Sequence, residues 1–185
     1  MIDLKNLYFE KLKETLYQDL VKIKNPYVLE FGVRYGISTK LFIEICEKNM
    51  GKLYSVDVDD YSKQFFSPTW KFIHSRDDNF EYVTKNIPSK FDLIYLDSFH
   101  DAEHVKKIFY YYYPFLKKGG YFIIDDISWI LYSKNNIREH FNSEINNQET
   151  LPDELKAHDG ASSTETQSEA GAGCSSSTYR TVKQG

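Results

Sequence analysis

The segment from Val28 to Thr39 constrains the fold of this chain more than any other part of the sequence. It reads as a short apolar strand, a turn with glycines at Gly32 and Gly36, and the start of a helix. A strand, a glycine turn and a helix in this order typically bind a nucleotide-like ligand at the carboxyl edge of a parallel sheet. The expected fold class is therefore α/β, with a ligand at this turn.

The residues of the turn indicate which ligand it holds. A dinucleotide site needs a second glycine where this chain has Arg34, and Glu30 would repel a phosphate. An acid suits a ligand with a cationic amino-acid end and no phosphate, such as S-adenosylmethionine. The spacing Glu30-x-Gly32-x-x-x-Gly36 resembles the first motif of class I S-adenosylmethionine-dependent methyltransferases. The resemblance implies a cofactor site at Glu30, Gly32, Gly36 and Ser38, whereas the plain alternative is a helix-entry turn.

Strand and helix patterns alternate along the first 150 residues. Predicted helices cover residues 4–23, 38–48, 78–86, 102–116 and 135–145, with Gly119 and Gly120 as a stop signal for the fourth. Right-handed crossovers give the strand order 3-2-1-4-5, a Rossmann-like, doubly wound and mainly parallel sheet with helices on both faces. The predicted strands are Tyr27–Phe31, Lys52–Val56, Trp70–His74, Phe91–Leu96 and Tyr121–Ile124.

Acids follow the second and third predicted strands. Asp57 is expected to accept hydrogen bonds from both ribose hydroxyls of the cofactor, with Asp59 and Asp60 as less favoured substitutes. Asp77 is expected to accept from the exocyclic amine of adenine. Both Asp57 and Asp77 have an alternative interpretation as helix caps.

The segment from Phe91 to Asp126 resembles the fourth-to-fifth strand region of small-molecule O-methyltransferases. That branch includes macrolide-sugar methyltransferases and cephalosporin-hydroxylase-like proteins. The resemblance implies that Asp97, Asp125 and Asp126 hold a divalent cation, and hard oxygen ligands suit Mg²⁺. Helix capping combined with solvated charge is the alternative explanation of these acids.

The implied cation gives the neighbouring residues a chemical role. A cation that binds the acceptor oxygen lowers the pKa of that oxygen and aligns it with the methyl group. Asp97 or His100 could then accept the proton as a general base. His100 is equally well explained as a helix-start residue that orients Asp97.

Composition limits the class of protein. The 185 residues carry a formal net charge of −4 and two cysteines, so no nucleic-acid partner and no disulfide framework are expected. The sequence shows neither a signal pattern nor a membrane-spanning apolar run, so no membrane partner and a cytoplasmic location are expected. We expect one methyltransferase domain at residues 1–150 and a low-complexity tail at 151–185, disordered from Gly160 to Gly185.

The resemblance ends near Ile127, and two strands that normally close the sheet of this family are missing from the sequence pattern. An open sheet edge would pair with another chain, which predicts a homo-oligomer. Three functions stay open. The leading one is metal-assisted O-methylation of a small molecule, such as a sugar or a secondary metabolite. The others are a nicotinamide-dependent oxidoreductase and a non-catalytic remnant that binds the cofactor.

Overall fold

A computed structural model describes residues 9–10, 12–125 and 180–183 of the chain. Its sheet has the strand order β3-β2-β1-β4-β5-β6. The first five strands are parallel, which confirms the predicted order 3-2-1-4-5, and β6 is antiparallel to β5. The strands are β1 Tyr27–Phe31, β2 Lys52–Asp57, β3 Trp70–His74, β4 Phe91–Leu96, β5 Leu116–Ile124 and β6 Arg180–Lys183.

Helices connect the parallel strands. They are α1 Ile37–Asn49, α2 Phe80–Asn86 and α3 Ala102–Tyr112, and helical turns at Lys13–Tyr17 and Gln18–Leu20 precede β1. The helix predicted at residues 135–145 lies outside the described residues. Within the part of the chain that the structure describes, no helix combines the length and the apolar character needed to cross a membrane.

Two apolar layers cover the faces of the sheet. On one face Leu41 and Phe42 of α1 pack against Val28 and Tyr95. The opposite layer contains Ile108 of α3 and further buried residues, among them Val83, Tyr112, Phe31 and Phe122. Complete burial of an aliphatic or aromatic side chain contributes about 1.5–3 kcal/mol to stability. Helices therefore cover both faces, as the sequence predicted, and the ends of the strands remain available for a ligand.

The boundary between α3 and β5 differs from the prediction. The helix was expected to reach Leu116 and to stop at Gly119 and Gly120, but α3 ends at Tyr112 and β5 begins at Leu116. Pro114 explains the earlier end, because proline lacks the amide hydrogen that a helix interior requires. The glycines lie inside β5, where the register with β4 shifts and Gly119 has a φ of +77°. They form an irregularity of the strand and do not stop the helix.

Part of the open edge beside β5 is filled. Residues Arg180–Lys183 pair antiparallel with Tyr121–Ile124, and Val182 packs against the apolar layer of α3. These four residues depart from the expectation of a tail without structure. A strand of this length is too short for its alternation of apolar and polar residues to be recognised within a polar segment.

Candidate functional site

Backbone hydrogen bonds continue past the ends of four neighbouring strands. The amide of Gly32 donates to the carbonyl of Val56 over 2.9 Å, and the amide of Asp97 donates to the carbonyl of Phe31 over 2.8 Å. The amide of Asp125 donates to the carbonyl of Leu96 over 2.9 Å. The glycine turn and the acids that follow β2, β4 and β5 therefore share one continuous edge, as the parallel topology predicted.

Two cavities open on this edge. The first has a volume of about 510 Å³, within the usual range of small-ligand sites, and the second about 260 Å³. The lining of both cavities includes Gly32, Arg34, Asp97 and Ser98. The first extends over Asp57, Asp59, Asp77, Phe99 and His104, and the second over Tyr35, Ile37, Ser38 and His100.

The two glycines of the turn have different neighbours. Gly32 has a φ of +93°, and a Cβ placed on it would lie 1.9 Å from the carbonyl oxygen of Asp97. Gly36 has a φ of +70°, and a Cβ there would lie 2.4 Å from the ring of Phe65. Gly32 lines both cavities, whereas Gly36 is absent from the described residues that line them. Gly32 therefore lies at the surface of the cavities, and Gly36 packs beneath Phe65.

The carboxyl group of Glu30 lies behind the turn. It is fully buried and accepts hydrogen bonds from the hydroxyls of Ser38, Thr39 and Ser55 over 2.7, 2.9 and 2.6 Å. Burial raises the pKa of Glu30 to about 7, although the three hydroxyl bonds oppose the rise. Glu30 is not among the described residues that line either cavity. Cofactor binding by Glu30 stays a prediction, and in the structure its carboxyl group joins the start of α1 to β2.

Asp57 links the end of β2 to the glycine turn. Its Oδ2 accepts from the amides of Val33 and Arg34 over 2.7 and 3.3 Å, and its Oδ1 accepts from the amide of Asp59 over 3.0 Å. Asp57 and Asp59 line the first cavity, as expected for ribose-binding acids, whereas Asp60 accepts from the amide of Ser62 in an exposed turn. The binding of ribose by Asp57 stays a prediction.

Asp77 lies in the first cavity with two side-chain partners that the sequence did not indicate. Ser98 Oγ donates to Asp77 Oδ2 over 2.6 Å, and His104 Nε2 lies 3.0 and 2.9 Å from the two carboxylate oxygens. His104 was not among the site residues predicted from the sequence. Ile108, one turn later on α3, could have indicated it. Residues four apart share a helix face, and an apolar Ile108 predicts that this face points towards the sheet.

Asp97, His100 and Asp125 lie at the ends of β4 and β5. Leu96 and Ile124 are paired in the sheet, so Asp97 and Asp125 follow at matching positions on neighbouring strands. His100 Nε2 lies 3.5 Å from Asp97 Oδ1. The hydroxyl of Tyr95 donates to Asp125 Oδ2 over 2.6 Å, and Asp125 is 2% exposed.

The third predicted metal ligand, Asp126, lies outside the described residues. Within residues 9–10, 12–125 and 180–183, no group of three or more histidine, cysteine or acidic side chains could hold a metal ion. The described part of the predicted site therefore consists of the two carboxylates of Asp97 and Asp125.

The chain matches a known protein family over more than half of its length. Residues 29–127 match the model of a methyltransferase domain family, a span that contains the glycine turn and both cavities' acids. The chain belongs to this methyltransferase family. The identification of a class I S-adenosylmethionine-dependent methyltransferase is thus confirmed at the level of family and fold. No curated protein matches the sequence closely enough to count as a relative.

Solved structures of methyltransferases share the fold. MycE of the mycinamycin biosynthetic pathway, in complex with Mg, SAH and mycinamycin VI, has a TM-score of 0.54 and 20% identity over 66% of this chain and 33% of MycE. CalS11, a TDP-rhamnose 3'-O-methyltransferase of calicheamicin biosynthesis, has a TM-score of 0.52 and 15% identity over 68% of this chain and 65% of CalS11. A protein of Plasmodium falciparum assigned as a putative ribosomal RNA methyltransferase has a TM-score of 0.51 and 18% identity over 77% of this chain and 85% of the Plasmodium protein. The chain spans only 33–42% of the length of the MycE structures.

Proposed function

We propose that this chain transfers a methyl group from S-adenosylmethionine to an oxygen of a small molecule, with a divalent cation at the acidic edge. The proposal rests on two adjoining cavities, which share the lining residues Gly32, Arg34, Asp97 and Ser98. The larger cavity has room for a nucleoside, and the smaller one opens on His100. Family membership supports the choice of methyl transfer over nicotinamide-dependent oxidation.

The chemistry of the larger cavity suits an adenosyl ligand. Asp57, Asp59 and Asp77 offer acceptors, which match ribose hydroxyls and an exocyclic amine. Arg34 occupies the position where a dinucleotide site needs a glycine. Its guanidinium carbon lies 4.9 Å from the ring centroid of Tyr35. When bound, S-adenosylmethionine supplies an electrophilic methyl group on a sulfonium, and its positive charge is favoured beside carboxylates.

The donor chemistry at the ends of β4 and β5 fits a hard divalent cation. Asp97 and Asp125 would provide carboxylate oxygens, and Asp126 is the proposed third ligand. The hydrogen bond from Tyr95 fixes the orientation of the Asp125 carboxylate at this edge. When bound, such a cation lowers the pKa of an acceptor hydroxyl.

Proton removal from the acceptor is assigned to His100. Its Nε2 is 3.5 Å from Asp97 Oδ1, and both residues line the smaller cavity beside Ser38. The carboxylate of Asp97 orients the imidazole, and its negative charge compensates the positive charge that a proton taken from the acceptor would bring. His100 acts in this proposal as the base, and Asp97 both orients it and binds the cation.

The acceptor is proposed to be a sugar or another secondary metabolite. MycE is in complex with mycinamycin VI, and CalS11 is a TDP-rhamnose 3'-O-methyltransferase. A ribosomal RNA acceptor is disfavoured because the net charge of −4 and the acidic cavities would repel a phosphate backbone. A cytoplasmic location and self-association through a sheet edge stay predictions.

Binding of S-adenosylhomocysteine tests the cofactor assignment. We expect calorimetry to show binding, and thermal unfolding to show a stabilisation of about 2.7 kcal/mol at 100 times the dissociation constant. Reduced nicotinamide dinucleotide serves as the comparison ligand and should not bind. Folded protein that binds no S-adenosylhomocysteine at millimolar concentration would refute the assignment, whereas binding without any methyl transfer would identify a non-catalytic remnant.

Titration with Mg²⁺ tests the cation site. Asp125→Asn should weaken Mg²⁺ binding while the S-adenosylhomocysteine affinity measured without Mg²⁺ is kept, because the glycine turn follows β1 and Asp57 ends β2. Asp19→Asn is the matched control, since Asp19 is exposed and pairs with Lys22 outside the lining of both cavities. Methyl transfer that continues undiminished in a strong chelator would rule out the cation, and His100 would then act without it.

A further inference from the structure

His104 is a largely covered histidine that the proposed methyl transfer does not use. Its side chain and that of Asp77 are each 10% exposed, and both residues line the larger cavity. The imidazole Nε2 lies 3.0 Å from Asp77 Oδ1 and 2.9 Å from Asp77 Oδ2. The sheet edge thus contains a carboxylate that is held by a residue from another element, α3.

Hydrogen-bond chemistry fixes the direction of this contact. An ionised carboxylate only accepts hydrogen bonds, so Nε2 of His104 carries the hydrogen. Ser98 Oγ donates to Oδ2 over 2.6 Å, and the hydroxyl of Tyr112 donates to the backbone carbonyl of Asp77 over 2.9 Å. Because a carboxylate has about four acceptor sites, these contacts leave acceptor capacity on Oδ1 for a ligand in the cavity.

The imidazole of His104 is itself held in place. Asp101 Oδ1 accepts from the His104 amide over 3.0 Å and caps α3. The ring of Phe99 packs against the imidazole at a centroid distance of 5.5 Å and an interplanar angle of 74°. His104 therefore approaches Asp77 from a fixed helix start and in a fixed ring orientation.

The nearest cations contact another acid. Arg76 binds Asp78 through Nε and Nη2 at 2.8 and 3.0 Å, and Lys107 Nζ lies 3.9 Å from Asp78. Among the described residues, the side chains that donate hydrogen bonds to the carboxylate of Asp77 are His104 and Ser98. The orientation of Asp77 thus depends on these two donors.

We propose that His104 is a positioning residue that, together with Ser98, orients Asp77 so that its Oδ1 selects an amino group on the bound base. This inference rests on the proposed adenosyl cofactor in the larger cavity. A base with a carbonyl in place of the amine would present an acceptor to an acceptor, and Asp77 would reject it. Without His104 the carboxylate can turn away from the ligand, and the discrimination between the two bases is lost.

A pair of matched ligands tests the proposal. S-adenosylhomocysteine carries the exocyclic amine, and S-inosylhomocysteine has a carbonyl at the same position. We expect the unaltered protein to bind the first at least about 10 times more tightly, the size of one hydrogen bond to a charged group. In His104→Ala the two affinities should differ by no more than about 2-fold, because only the amine-bearing ligand loses a hydrogen bond to Asp77.

Further variants separate positioning from folding. His104→Gln keeps an N–H close to the position of Nε2 and should restore the preference, whereas Glu103→Gln changes an exposed neighbour on α3 and should leave it unchanged. Ser98→Ala removes the second donor and should lower the ratio even if His104→Ala fails to fold. Calorimetry with both ligands measures each ratio.

The outcomes are distinct. Equal affinity of the unaltered protein for the two ligands would overturn the selection by Asp77. An unchanged ratio in His104→Ala and Ser98→Ala, with both ligands weakened alike, would show a merely structural role. Absence of S-adenosylhomocysteine binding by the unaltered protein would overturn the proposed cofactor, and this inference with it.

Discussion

Glu30 and Asp57 are carboxyl groups close to the glycine turn in sequence or in space, and their surroundings differ. Glu30 is completely buried and meets three hydroxyls, and its burial raises its pKa to about 7. Asp57 is partly exposed, accepts from backbone amides and lines the larger cavity. The sequence assigned both acids to the cofactor, and a strand pattern does not show which of two carboxyl groups lines a cavity and which is fully buried.

The raised pKa of Glu30 predicts a pH-dependent stability. The native state holds the proton up to about pH 7, whereas the unfolded chain releases it near 4.5. The native state therefore binds more protons between these values, and stability is lost as the pH rises from 4.5 through 7. Relative to Glu30→Gln, the unfolding free energy of the unaltered protein should fall by about 3 kcal/mol across this window.

Urea unfolding of both proteins at several pH values between 4.5 and 8 measures this difference. Glu81→Gln, which removes an exposed carboxyl group of α2, is the control and should follow the unaltered protein. Parallel stability curves for Glu30→Gln and the unaltered protein would show that Glu30 titrates normally.

At the scale of elements, the sequence predicted correctly the strand bounds that depend on the local pattern of apolar and turn residues. The bounds of β1 and β4 match the prediction because buried strands are apolar runs between turn residues. The bounds of β3, an edge strand in which Ile73 is the buried residue, also match.

The end of α3 did not match because the predicted helix ran through Pro114, which lacks the amide hydrogen that a helix interior requires. The start of β5 did not match because its glycines act through a register that only the folded sheet defines. The contact of Tyr95 with Asp125 leaves no local signal, and for His104 the local pattern indicates only the inward face of α3, not the partner Asp77.

The turn after β1 should tolerate no side chain at Gly32. Gly32→Ala would place a methyl group 1.9 Å from a backbone oxygen of Asp97 at a φ of +93°, so backbone atoms must move. We expect a loss of more than about 3 kcal/mol of stability and a loss of S-adenosylhomocysteine binding. Chemical denaturation and calorimetry measure the two effects.

Gly119 provides the matched control for Gly32. It also has a positive φ, +77°, but no described atom lies within 4 Å of the position that a methyl group would take there. Gly119→Ala should therefore cost only the strain of a left-handed backbone, about 1–2 kcal/mol, and leave ligand binding intact. Equal losses in the two variants would contradict the role of the close approach at Gly32.

At the scale of the whole molecule, the sheet is completed by residues far apart in the chain. β5 ends at Ile124 and β6 begins at Arg180. The antiparallel pairing covers the edge of β5, which would otherwise present unpaired backbone groups to other chains. Val182 adds apolar contact to the layer between the sheet and α3.

Removal of residues 180–185 should therefore destabilise the protein. The loss of strand pairing and of the Val182 contact predicts a fall of about 1–3 kcal/mol in the unfolding free energy. The uncovered edge should also increase self-association, which sedimentation analysis would detect. Removal of residues 184–185 alone keeps β6 and is the control. A shortened chain that is as stable as the full one and associates no more strongly would contradict the closing role of β6.

The backbone bonds that join the strand ends make the two cavities parts of one scaffold. The carbonyl of Asp97 fills the space beside Gly32, since a Cβ there would lie 1.9 Å from that oxygen, and the Asp97 amide donates to the carbonyl of Phe31. In the proposed function, a cofactor that orders the glycine turn would also order Asp97, so part of the ordering cost of the cation site would already be met. Thermodynamic reciprocity would then give the cation the same effect on cofactor affinity as the cofactor has on cation affinity.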